Sequence, residues 1–482
     1  MRMRAILAAG VGVAGLTAAV VVGCGGGYSG GGGSGMGAGY GGAPMPTVKF
    51  TAPAQPMTVS LGQGVKLTWA ASNATSCAAA TSSAMGGDFT GSQPTSGSVQ
   101  VAPSAAGSVA YTLTCTGSGG MATATSPVIT VKPSILSVLS GVKSVTIGST
   151  LDPIEHGGNP YGLVIAPKTA GLITAGDLVV CNFNDGASNT QGLGTTIVGL
   201  HPTAGAHPFR IGQDAKLQGC DALAMLPDDS ISAAASTANQ NPLVSAAGVV
   251  ATPFSMDSFA GPWGEAYVAA AGGHPAALYV SDLSGAIDRI ELDGDAQSAF
   301  VQIATGFCGS GMPGAFFAPA GLTYDASIDT LYIIDTSSNS VVAFAGVSSI
   351  GAGGVVVSGQ CNSVASPPTP APTFSGPAAA SARVIAHGAP LIAPLSAALL
   401  ADGDLIVANS DINVAAGQMP NLVVEVSPVL PGGFVGEPVQ LDTSGTPGAL
   451  FGIATAVNAQ GQQIVYFNDD NTNTVMMLET PQ

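Results

Sequence analysis

Five Asn or Asp residues close short apolar runs along the chain: Asn182, Asp282, Asp335, Asn409 and Asn468. Their side-chain oxygens allow two kinds of chemistry. An Asx side chain bonds backbone N–H groups two residues on and so nucleates a turn. Gathered at one mouth of a channel, the same carboxylates and amides would suit calcium, which prefers oxygen ligands. Three aromatic residues recur upstream, Tyr161 in PYG, Trp263 in PWG and Phe451 in LFG. Rings at equivalent positions can stack on a sugar or an apolar ligand, or plug a narrow channel. Glu265, two residues after Trp263, reads as the only acidic residue in a comparable strand opening.

Nucleophilic chemistry has little to stand on. His156, His201, His207, His274 and His387 are scattered, mostly beside Gly or Pro. G-x-S-x-G occurs only as GYSGG at 27–31, inside the Gly-rich tether and without the strand-to-helix turn of a nucleophile elbow, and there is no H-E-x-x-H, no C-x-x-C-H and no Cys/His cluster with zinc spacing. GLGTT at 192–196 and GQGVK at 62–66 lack the strand–loop–helix setting and the Lys-Ser/Thr of a phosphate loop. No catalytic residue is assigned, and a non-enzymatic role is the expectation.

The elements that position these residues form a repeat. LYIIDTSSNSVVAF (331–344) is two β-type runs around a polar turn. The same pattern recurs as LVVCN with TTIVGL, LYVSD with AIDRIEL, LIVAN with NLVVEVS, and IVYFN with TVMML, with a weaker copy at ISAAA (231–235). Strands opened by Pro or Gly precede most copies: PYGLVIAP, PWGEAYVA, PAGLTYD, PLSAALLA and LFGIATAV, with CDALAML in the second copy. A period near 50 residues points to a propeller or an array. Six copies predict a six-bladed β-propeller over 136–482, with KSVTIGS (143–149) as the strand that clasps the ring shut. VASPPTPAPTFSGPAAAS (364–381) reads as a Pro-rich surface excursion.

LYIIDTSSNSVVAF resembles the NHL repeat, and the longer segments around LVVCN and LYVSD are similar to exported bacterial six-bladed propellers of unassigned function. The resemblance implies a fold and leaves function open, because propellers host many roles. Gluconolactonase-type propellers use a metal near the channel mouth, held by a Glu with Asn/Asp partners. That likeness keeps a calcium-dependent lactonase as the alternative, although a full motif is not matched.

Residues 48–133 contain short alternating runs at spacings that suggest a β-sandwich. GQGVKLTWAASNATSC and AYTLTCTGSGGMATATSPVITV resemble bacterial Ig-like domains. Trp69 precedes Cys77, and Tyr111 lies four residues before Cys115, so the antibody-type disulfide position is not expected. A spacer or adhesion module follows from this reading. The expected fold class is therefore all-β, an Ig-like β-sandwich followed by the propeller.

The N-terminus has an address rather than a fold. Arg2 and Arg4 precede an apolar run, Ala5 to Val22, ending in small residues, as a secretory signal does over 1–23. Val21-Val22-Gly23-Cys24 resembles a lipobox, which implies a lipidated Cys24; a plain signal or a single membrane span is the alternative. Two or more acyl chains suffice for stable anchoring. Gly25 fits outer-membrane sorting, and the face is left open. Residues 24–47 are a Gly-rich tether. The other six cysteines form an even set, read as disulfides in an oxidising compartment. Chain order suggests 77–115, 181–220 and 308–361, out of 15 connectivities. A net charge of −17 with 11 Lys+Arg disfavours nucleic acid as a partner. The expected partners are the membrane, through the anchor, and an envelope protein or glycan; no cofactor is required, calcium apart.

Overall fold

The computed structural model describes residues 42–482, apart from 62, 83–88, 140–141, 252–253, 255–258, 295, 311–317, 360–369, 410–418, 430–431, 444–445, 447 and 480–482. The predicted signal, Cys24 and most of the tether lie outside the described residues. Among the described residues no helix is long and apolar enough to cross a membrane.

The first module, Thr47 to Lys132, is built of three small sheets. Val65–Ser72 pairs with Thr47–Ala52 on one side and Ser96–Val101 on the other. Ser76–Thr81 and Tyr111–Gly117 are the central strands of a four-stranded sheet. A third sheet pairs Ile129–Lys132 in parallel with Met57–Ser60. The period-2 pattern explains the packing: Val65, Leu67 and Trp69 turn inward while Lys66 and Ala70 face solvent. Leu67, Trp69, Phe89, Tyr111 and Leu113 form the core. Trp69 satisfies its indole N–H by donating to Pro94 O at 2.9 Å. Cys77 and Cys115 sit directly opposite one another on neighbouring strands and are disulfide-bonded. The bridge thus staples strands of one sheet.

A short helix, Ile135–Leu139, leads out of this module. Ser134 Oγ accepts Ser137 N at 3.0 Å, and Glu425 Oε2 accepts Leu136 N at 2.8 Å. Leu136 and Leu139 are buried among residues of the last two propeller blades, so the connection is packed down onto the ring.

Six sheets follow, and they form a six-bladed propeller. Blade 1 is Gly158–Ile165, Leu178–Asn184, Gln191–Leu200 and Phe209–Gln213. Blade 2 has three strands, Cys220–Met225, Ile231–Ala235 and Leu243–Val244. Blade 3 is Pro262–Val268, Ala276–Asp282, Ile287–Asp293 and Ala296–Thr305. Blade 4 is Pro319–Asp325, Thr330–Asp335, Ser340–Ala345 and Ala382–His387. Blade 5 is Pro394–Leu399, Leu405–Asn409, Leu422–Val426 and Phe434–Gln440. Blade 6 is Leu450–Val457, Gln463–Asp469 and Thr474–Glu479, completed by Val145–Ser149 from the start of the domain. That last strand pairs antiparallel with Thr474–Glu479, Val145 opposite Met477 and Ser149 opposite Thr474. It is the expected clasp, and it joins the start of the domain to the last blade, closing the ring. The innermost strands adjoin one another around the whole circle, blade 6 back to blade 1.

Each blade stacks on two others, so second strands are covered on both faces. All seven residues of Leu178–Asn184 and all six of Thr330–Asp335 are buried. Burial on both faces is why these strands read as continuous apolar runs instead of alternating ones. The core accordingly divides into apolar seams between blades. Ile333, Val342 and Phe344 pack against Tyr279, Ile287 and Ile303. Val407 and Val424 pack against Tyr332 and Ile334. Ile147 of the clasp fills the seam between blades 6 and 1.

Blade 3 carries an extension that the repeat pattern did not reveal. Val355–Ser358 adds in parallel to Ala296–Thr305, and Thr373–Ser375 pairs with it, giving six strands. Both come from the long segment between the third and fourth strands of blade 4. Part of the Pro-rich excursion, up to residue 369, lies outside the described residues. Cys181–Cys220 ties blade 1 to blade 2, as chain order suggested. Cys308 is also disulfide-bonded; its expected partner Cys361 lies outside the described residues.

Candidate functional site

The inner strands share a register that defines layers along the axis. In every blade the pairing slips by one residue near the start of the inner strand. Pro160 faces Asn182 but Leu163 faces Val180, and Pro262 faces Asp282 but Glu265 faces Val280. The same slip occurs at 220, 319, 394 and 450. Six identical bulges re-aim the side chains that follow. Beside each slip sits a small residue: Gly162, Ala222, Gly264, Gly321, Ser396 or Gly452. The reason is steric. A Cβ on Gly264 would lie 1.7 Å from Ala320 O, and one on Gly452 would lie 2.4 Å from Tyr161 O. Small residues let adjacent inner strands approach closely enough to close the ring.

The layer before these small residues holds Tyr161, Asp221, Trp263, Ala320, Leu395 and Phe451. Tyr161 stacks on Phe183 at 4.3 Å and on Phe451 at 4.1 Å, and meets Trp263 edge-on at 6.3 Å. With Leu283, Leu395 and Ala320 they form one buried cluster. The three aromatic residues singled out from sequence are thus brought together, and they fill the channel end where the inner strands begin. Phe183, from the second strand of blade 1, completes the stack.

Below the plug lies a cavity of about 440 Å³, walled by all six inner strands. Its next layer is Leu163, Leu223, Glu265, Leu322, Ala397 and Ile453, and beyond it come Ile165, Met225, Tyr267, Tyr324 and Thr455. These last residues are partly exposed, so the cavity is blind at the plug and opens at the opposite face. Tyr324 Oη donates to Asp329 Oδ1 at 3.1 Å, which orients its ring at the mouth.

Two carboxylates interrupt the apolar wall. Glu265 is 5% exposed. Its Oε1 accepts Asn241 Nδ2 at 3.0 Å, and that amide also donates to Ser232 Oγ at 2.8 Å. Oε2 has no hydrogen-bond partner. Burial pushes the Glu265 carboxyl up to about 7, against the pull of Asn241 and Ser232. Asp221 is 6% exposed and neither of its oxygens is hydrogen-bonded. Burial raises it well above the carboxylate range. Ser236 alongside offsets this in part, but its hydroxyl is committed to Gly219 O at 3.3 Å. Asp221 corrects the reading that Glu265 is the only acidic residue in a strand opening. Its signal was visible: CDALAML has Asp where PYG, PWG and LFG have a ring.

The Asn/Asp set divides between turn closure and ties to other segments. Asn182, Asp282, Asp335, Asn409 and Asn468 are all buried. Asn182 Nδ2 donates to Thr150 O at 3.0 Å. Asp282 accepts Ala260 N at 2.5 Å and Ser284 N at 2.6 Å. Asp335 accepts Ser337 N at 3.1 Å and Ser338 Oγ at 2.5 Å. Asn409 accepts Ile392 N at 3.1 Å and donates to Pro390 O at 3.0 Å. Asn468 is one place out of the set: the residue equivalent to Asn182 in blade 6 is Asp469, which faces Leu450. Asn468 instead donates to Tyr161 O across the blade 6–blade 1 seam at 3.1 Å. Asp282 and Asp335 close their own turns, Asn182, Asn409 and Asn468 bond backbone groups of other segments, and the set does not converge on one point. Among the described residues no three His, Cys, Asp or Glu side chains are grouped to hold a metal ion.

No protein-family model matches the chain, and no curated protein sequence matches it either. Solved structures with a similar chain path include a catalytically inactive virginiamycin B lyase from Staphylococcus aureus, at 11% identity and TM-score 0.40 over 71% of this chain and 99% of that one. A nidogen/laminin complex is similar at 14% identity and TM-score 0.41, over 63% and 85%. A PQQ-bound aldose sugar dehydrogenase from Streptomyces coelicolor is similar at 16% identity and TM-score 0.42, over 70% and 98%. At these values the likeness carries no argument, and the propeller stands on its own strand pairing.

Proposed function

We propose that this chain is an exported, lipid-anchored binding protein of the cell envelope whose propeller channel receives a small ligand. The observation that carries the reading is the blind cavity of about 440 Å³, apolar on most of its wall and interrupted by a few polar groups. That combination of concavity, apolar lining and sparse polar groups suits a small molecule. The apolar N-terminal run, Cys24 and the Gly-rich segment support the anchor and tether, and the Thr47–Lys132 module, Ig-like in its segments, would act as the spacer. The test uses a soluble form from Met45, where the compact unit begins. Small aromatic amphiphiles should bind this form with a stoichiometry of one, and Ala397→Phe, which fills the wall, should abolish binding. Retained binding in that variant contradicts the channel as the site. Hydrolysis of a lactone panel by the same protein contradicts the non-enzymatic reading. For the anchor, Cys24→Ala should release the chain from membranes; unchanged membrane retention refutes it.

A further inference from the structure

Resting on the reading that the channel takes a small ligand, we infer the ligand's class: an amphiphile with an apolar body and an amine or other hydrogen-bond donor, recognised by Glu265 and Asp221.

Symmetry is the first argument. At the level of Asp221 the other five blades present Tyr161, Trp263, Ala320, Leu395 and Phe451. At the level of Glu265 they present Leu163, Leu223, Leu322, Ala397 and Ile453. An apolar residue is therefore sufficient to build either layer. Both carboxylates replace one, on neighbouring blades, where burial penalises them.

Valence is the second argument. Oε2 of Glu265 and both oxygens of Asp221 have no donor in hydrogen-bond geometry; Ser232 and Ser236 lie alongside, and Ser236 spends both its hydroxyl and its N–H on Gly219 O. Buried acceptors are normally paired, so orphans in the wall of a cavity ask for a donor from outside the chain. Charge is the third. The lining residues include two acids and three tyrosines but no Lys, Arg or His. An anionic ligand would find no counter-ion there, whereas an ammonium group would favour the ionised form of either carboxyl over the protonated form that burial favours. Trp263 borders the same end of the cavity, and an indole ring also favours a cation.

The test compares three probes of nearly equal shape, 2-phenylethylamine, 2-phenylethanol and 3-phenylpropionate, by calorimetric titration of the soluble form. The amine should bind at least tenfold more tightly than the carboxylate, with the alcohol between. Glu265→Gln and Asp221→Asn should each cut the amine's advantage severalfold while leaving the alcohol's affinity within a factor of two or three. Equal affinities for all three, or tightest binding of the carboxylate, overturns the ligand class and leaves the channel as a site. Failure of all three to bind contradicts both the ligand class and the channel reading. The three-probe comparison uses the unsubstituted chain, so it decides the matter even where a variant fails to fold.

Discussion

Glu265→Gln separates the electrostatic cost of the buried carboxylate from its packing. Burial raises the folded-state value from the usual 4.5 to about 7. Between those values the folded chain holds a proton that the unfolded chain has released. Stability therefore falls as pH rises from about 4.5, and the loss is complete once the pH passes the folded value. At about 1.4 kcal/mol per pH unit, the single group costs about 2–3 kcal/mol between pH 5 and pH 8. Gln does not titrate, so the variant escapes this loss. Its amide N–H replaces the unpartnered Oε2 and costs about 1–3 kcal/mol at every pH, which drops out of the pH difference. The groups facing Glu265 are Asn241 and Ser232 of blade 2, and neither titrates. Asp288, Asp404, Glu425 and Asp470 are also raised to about 7. They steepen the pH dependence of both proteins equally and cancel in the comparison. Urea unfolding of the two proteins at pH 5, 6, 7 and 8 should show the variant gaining about 2–3 kcal/mol on the parent across the range. Parallel curves would refute the assignment of Glu265 as a desolvated carboxylate.

Gly264→Ala should destabilise the propeller by at least about 2 kcal/mol, because its Cβ would meet Ala320 O at 1.7 Å; urea unfolding that matches the parent would contradict the close approach of blades 3 and 4. Replacing Cys77 and Cys115 together by Ser should cost the first module about 3–4 kcal/mol, from the 38-residue separation, without moving the propeller's transition in a calorimetric scan. Asp335→Ala should cost about 1–2 kcal/mol through the lost turn bonds and leave probe affinity unchanged; a large loss of affinity would return Asp335 to the binding site.

The propeller was legible because its hairpins repeat: a run buried on both faces and a second strand survive six times despite variable loops, five of them with an Asn or Asp at the end of the run. The clasp was legible because a β-type run precedes the first inner strand with no partner of its own. Other features were less visible for identifiable reasons. In the fifth clear copy the run Asn468-Asp469-Asp470 offers three turn-forming side chains, and only the pairing of Asp469 with Leu450 selects among them. The blade 3 extension joins strands about 50 residues apart in parallel, and no local pattern encodes such a pairing. Asp221 was visible in CDALAML but easily passed over, because blade 2 lacks the Pro or Gly that opens the other inner strands. Its importance emerges only when the six inner strands are set side by side and the apolar layers show their two exceptions.

The most direct test of the channel as the ligand site uses its own fluorophore. The chain has two tryptophans, Trp69 in the first module and Trp263 in the plug, so Trp69→Phe leaves Trp263 as the sole tryptophan reporter at the blind end of the cavity. Titrating this variant with 2-phenylethylamine should give a saturable change in Trp263 emission that disappears when Ala397→Phe is added. A flat titration, or a change that persists with the channel filled, would contradict the account.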